Sequence, residues 1–151
     1  MRSFIFLFLS IFSHNLLANQ CIDLMKKEDF YEASDVCAAM AKKGEMNAQF
    51  SLAIMYYQGS GMMSDLGEAQ KWMRKAAEQN HDQAQYNLGI MLANGQGSNT
   101  DLVSAYAWLS VSAANGYAAA TEAVKQLGAE LSSKEKKEAN IQIQQIKSHF
   151  K

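Results

Sequence analysis

The 151-residue chain contains no proline, so no segment is forced out of helical geometry by a fixed ring or a missing N–H. Charge of one sign is lacking too, since 14 basic and 15 acidic residues leave a formal net charge of −1. Phosphate-binding surfaces are built from clustered Lys and Arg, so nucleic acid is excluded as an expected partner. Neither an acidic tail nor a basic, membrane-directed arm is present. Histidine and cysteine are scarce, with three and two copies. No histidine pairs with a second ligand at metal spacing, which argues against zinc. No Ser or Cys is marked as a nucleophile by a base and an orienting acid. The chain is therefore read as no enzyme, with no catalytic, metal or cofactor-binding residues and no cofactor.

Long hydrophobic runs are also missing. The run from Phe4 to Phe12, broken only by Ser10, is too short to span a bilayer. It follows Met1-Arg2 and precedes a short polar stretch ending at Ala18, the layout of a secretory signal peptide. Residues 1–18 are expected to be such a signal, cleaved near Ala18, giving a periplasmic or secreted protein with no membrane insertion after cleavage. A lipoprotein signal would want a small residue directly before Cys21, where Gln20 stands. Cleavage would remove His14, leaving His81 and His149, read as a partly exposed loop side chain and a solvated terminal one. Cys21 and Cys37 remain, and an even count in an exported chain favours a disulfide. They lie eight residues either side of Asp29, so a turn there brings the two thiols face to face across a helical hairpin.

What the chain does have is an internal repeat. Residues 48–83 and 84–119 align without a gap, with twelve of 36 positions identical. The identities include Gly59/Gly95, Gly61/Gly97, Asp65/Asp101, Ala69/Ala105, Trp72/Trp108 and Ala77/Ala113. The same period reaches upstream to Asp29 and Ala33. Apolar residues spaced by three and four place two helices in each unit. Gly59 and Gly95 stop the first helix, and Gly61 and Gly97 turn the chain toward an Asp N-cap. Asn80 and Gly116 stop the second helix. Asp29-x-x-Glu32 and Asp65-x-x-Glu68 read as capping boxes, as does Ser132-x-x-Glu135 before a final helix bearing Ala139, Ile143, Ile146 and Phe150. The small alanines at 69, 77, 105 and 113 allow close helix approach, with Trp72 and Trp108 filling the gaps beside them.

The pattern Ala-Gln-x-x-Leu-Gly-x-Met-x-x-x-Gly-x-Gly, then Asp and Ala-x-x-Trp-x-x-x-Ala-Ala, resembles the Sel-1-like repeat family, a tetratricopeptide-like group with bacterial exported members. Residues 84–116 and 48–80 carry the likeness best, though Ala53 and Asn80 stand where the family usually has glycine. The resemblance implies an all-α fold, a short right-handed α-solenoid of stacked helix-turn-helix repeats. The expected organisation is a capping hairpin at 19–47, repeats at 48–83 and 84–119, and a degenerate repeat with a capping helix at 120–151. The family has no shared catalytic set. The resemblance implies a protein partner, of unknown identity, bound by a non-catalytic adaptor or scaffold in the bacterial envelope; with both ends capped, the chain is expected to be a monomer. Immunity against a secreted antibacterial toxin is the alternative. A cell-wall or β-lactam binding or hydrolysing enzyme is the second.

Comparing the two copies suggests where a partner binds, because positions identical in both are demanded by the fold. Met62-Met63 replaces Ser98-Asn99, Tyr57 replaces Ala93 and Tyr106 replaces Gln70. Methionine and tyrosine are favoured contact residues. First-helix side chains Gln49, Tyr56, Gln85 and Asn87 are expected to edge a shallow groove. The Lys71, Arg74, Lys75 trio, opposite Ala107, Ser110 and Val111, reads as a solvated outer face.

Overall fold

The computed structural model describes residues 20–150; the expected signal segment and its cleavage site near Ala18 lie outside the described residues. Residues 20–26 are helical (α1). Then follow α2 (Phe30–Lys42), α3 (Met46–Gln58), α4 (Leu66–Glu78), α5 (Asp82–Ala93), α6 (Leu102–Ala114), α7 (Ala118–Glu130) and α8 (Ser133–His149). Among the described residues there is no strand, and no helix is long and apolar enough to cross a membrane. The architecture is the expected helical solenoid, in which α3–α4 and α5–α6 are the two full hairpins.

Each second helix starts on an Asp of the 36-residue series. Asp29 accepts from the Glu32 N–H, Asp65 from the Gly67 and Glu68 N–H groups, and Asp101 from the Ser104 N–H. These bonds satisfy first-turn donors that have no partner within the helix. Among the described residues the reciprocal half of the box forms only at Ser132, where Glu135 reaches back to the N-cap backbone. At Asp65 the expected box is corrected. Glu68 turns outward instead, accepting from Lys71 Nζ at 2.8 Å and Trp72 Nε1 at 3.1 Å. That bond and the carboxylate charge raise the Lys71 pKa.

The loops explain why two glycines recur at the same spacing. Gly61 and Gly97 have φ of +72° and +88°, where a side chain is strained. A Cβ on Gly61 would also run into the carbonyl of Phe30, and one on Gly97 into that of Leu66. Phe30 and Leu66 open the second helix of the preceding hairpin. Each glycine is thus a backbone-to-backbone contact between neighbouring units, beyond the turn inferred from sequence.

Ala33, Ala69, Ala77 and Ala105 are fully buried, and Trp72 and Trp108 are at least nine-tenths buried beside them. Ala113 departs from the close-packing role expected of it, being only half-buried. The cause lies in the unit that follows. Ala77 is roofed by the next repeat, where Gln85 donates to its carbonyl, but one period later the exposed Thr121 stands in place of Gln85. The degenerate unit therefore leaves Ala113 partly open.

One continuous core runs from Cys21 to Leu127. At its N-terminal end Cys21 and Cys37 form the expected disulfide, tying α1 to α2. Closing a loop of this size contributes about 3 kcal/mol on the chain-entropy estimate. At the other end α8 packs along α6, where Ile143 covers Ala107 and Val111.

Candidate functional site

The first helices of the two full repeats, α3 and α5, leave a groove between them. Ile54, Tyr57 and Gln58 line it from α3, Asn87, Ile90 and Met91 from α5, Gln96 from the following loop and Met73 from α4. Its cavity measures about 210 Å³. The apolar members arise from helical spacing. Ile54 and Ile90 sit beside the core-facing Met55 and Met91, so the edge of each apolar stripe is left half-covered.

The rim is polar and held in place. Gln96 Nε2 donates to the Tyr57 hydroxyl at 3.0 Å, bridging loop and helix across the two units. Gln70 Nε2 donates to the Gln96 carbonyl at 3.1 Å and to Ser98 Oγ at 2.8 Å, fixing the loop from behind. Gln96 Oε1 is buried and has no hydrogen-bond donor among the described residues. The arrangement offers apolar contact and amide hydrogen bonding, with no nucleophile or acid–base pair among its lining residues. Among the described residues no group of three or more His, Cys, Asp or Glu is placed to hold a metal ion.

Of the residues expected to contact a partner, Tyr57 and Asn87 line this groove. Gln49 and Gln85 do not edge it, because they are buried at 5% and 0% exposure. Each is a clasp between units. Gln49 donates to the Ala41 carbonyl and accepts from Gln79, and Gln85 donates to the Ala77 carbonyl and accepts from Asn115. Tyr56 and Met62 are half-buried and pack on the core. Tyr106 is also half-buried, against the core and close to Gly128 of α7, so it presents little surface to a partner. Met63 is 89% exposed but lies outside the groove.

His81 stands at the inter-unit turn, partly exposed as expected, and has a structural role there as well. It is the N-cap of α5, its Nδ1 accepting from the Ala84 N–H at 3.3 Å, and its ring stacks on Phe50 at 4.5 Å. Burial lowers its pKa, while the Asp82 carboxylate pulls the other way.

Comparison with known proteins agrees with this geometry. The Sel1 repeat family matches residues 47–81 and 82–117. A solved structure of a protective antigen present in uropathogenic Escherichia coli strains, displaying an SLR fold, is 31% identical over 91% of this chain, with a TM-score of 0.85. This chain spans only 30% of that one. A Sel1 repeat protein from Oxalobacter formigenes is 24% identical over 71% of this chain and 59% of its own, with a TM-score of 0.60, and shares the fold. No curated protein matches in sequence. The chain carries two Sel1 repeats, at residues 47–81 and 82–117.

Proposed function

We propose that this chain is a non-catalytic interaction module of the bacterial envelope or its exterior, receiving an extended segment of a partner protein in the α3/α5 groove. The observation that carries this is the groove itself, an apolar trough of Ile54, Ile90 and Met91 rimmed by Tyr57, Gln58, Asn87 and Gln96. A partner side chain would enter the trough while the rim amides bond its backbone. The Cys21–Cys37 disulfide suggests an oxidising compartment. That supports export, the role expected for residues 1–18, and the periplasm or cell exterior as the place of action. The module works as a monomer.

The test is affinity capture from envelope extracts with the native protein and the Ile54→Asp and Ile90→Asp variants. Both positions are partly exposed but pack on the core, so the variants should stay helical with a lowered melting temperature, and capture is compared at a temperature where all three proteins are folded. The captured protein is expected to disappear with either variant. Undiminished capture would show that the groove is not the binding surface.

A further inference from the structure

A second cavity, of about 360 Å³, shares no residue with the groove. It is lined by Glu78, Trp108, Ile146, His149 and Phe150. Glu78 is the last residue of α4, and His149 and Phe150 are the last residue and C-cap of α8. Two helix C-termini therefore converge on it, and the negative ends of their dipoles favour a cation. Glu78 adds a carboxylate that is exposed and in no ion pair among the described residues. His149 Nδ1 lies 2.8 Å from the Gln145 carbonyl. A carbonyl can only accept, so Nδ1 carries the proton and a neutral ring keeps the Nε2 lone pair as an acceptor.

The repeat supplies a chemical precedent for an ammonium group beside this tryptophan. In the first unit the ammonium of Lys75 stands 4.1 Å from the centre of the Trp72 ring. Trp108 is the same residue one period later, but position 111 is valine and brings no cation to it. We infer that the cavity beside Trp108 binds a primary alkylammonium group, that of a lysine side chain on a partner polypeptide. The aliphatic stem packs on Ile146 and Phe150, and the ammonium meets Glu78, His149 Nε2 and the indole face.

The two tryptophans give separate indole N–H resonances, so the ¹⁵N-labelled protein carries its own control. The probe is Nα-acetyl-lysine N-methylamide, compared with the norleucine derivative, which keeps the chain and lacks the ammonium. Trp108→Phe assigns the peaks. A saturable shift of the Trp108 resonance is expected, with Trp72 unmoved. The norleucine probe should bind at least about ten-fold more weakly, and Glu78→Gln should weaken the lysine probe about three- to ten-fold. Equal binding of the two probes, indifference to Glu78→Gln, or a non-saturating shift of both indoles would each overturn the inference. Because cavity and groove are made of different residues, failure of either reading leaves the other standing.

Discussion

The two full repeats share a framework and differ in what lies on top of it. Both have the Asp cap, the inter-unit glycine, the buried glutamine clasp and an aromatic contact from the first helix to the N-cap of the next hairpin: Phe50 on His81, then Tyr86 on Tyr117. Their outer faces are unlike. On α4, Glu68, Lys71 and Lys75 form a solvated network around Trp72. On α6 the same positions are Ser104, Ala107 and Val111, and Ala107 and Val111 are buried under α8. Replacing long charged side chains by small and branched apolar ones converts a wet face into a docking face. Divergence between copies therefore reports what covers each copy, which need not be a foreign partner.

Exchanging residues between the copies is the sharpest way to break this comparison. Val111→Lys places an ammonium at a site with 1% exposure, and it should destabilise the protein by about 3–5 kcal/mol or detach α8. The reciprocal Lys75→Val should cost no more than about 1 kcal/mol, the worth of an exposed cation–π contact. Urea unfolding of the pair gives the asymmetry directly, and equal effects would mean that α8 does not protect α6.

Next in size come the glycines. Gly97→Ala should cost about 2–4 kcal/mol, since the methyl group meets a backbone carbonyl as well as an unfavourable φ. Gly116→Ala has the same kind of φ but open space around it, and should cost about 1 kcal/mol. If the two denaturation midpoints shift alike, the inter-unit contact has no energetic role.

Gln85→Ala should cost about 0.5–1.5 kcal/mol by removing its bonds to the Ala77 carbonyl and from Asn115 Nδ2, which keep their bonds with Asn80, while leaving partner capture unchanged. Loss of capture without loss of stability would restore Gln85 to the binding surface.

The smallest effect separates His81 from Tyr117, which caps α7 without a side-chain hydrogen bond. Burial holds the His81 imidazole below its ordinary value of 6.5. Between that lowered value and 6.5 the unfolded chain binds more proton than the folded one, so stability rises with pH across this window. It is present in full above the unfolded value and is lost as pH falls, because protonation also removes the lone pair that accepts from Ala84. Melting temperature should thus drop on acidification from about pH 7.5 to about 5.5. His81→Tyr, which copies the second unit, should flatten that part of the profile.

The fold was legible in the sequence because helix caps, stops and alanine faces are local and recur at fixed spacing. Asp65, Gly59 and Asn80 act where the period places them, and the Cys21–Cys37 bridge followed from two helices meeting at one turn. Register alone overstated Ala113, because its identity with Ala77 says nothing of how well the following unit covers it. The site was less legible. Treating identity between copies as a mark of fold alone set aside Ile54 and Ile90, which are identical and line the groove. Their helical position at the edge of the buried stripe was the available signal. Gln49 and Gln85 misled because a polar residue on a first helix looks exposed until its partners, 30 residues away, are known. Tyr106 looked free for the same reason, since only the tertiary packing of α6 on α7 and α8 hides it.

The glycine contacts have a consequence for how such a molecule can change over time. The step from one hairpin to the next is gauged by main chain against main chain, at Gly61 on Phe30 and Gly97 on Leu66. The rim side chains Gln58 and Asn87 take no part in those contacts. Substitution there can accumulate without altering the curvature that presents it, so the shape of the receptacle is inherited while its specificity drifts.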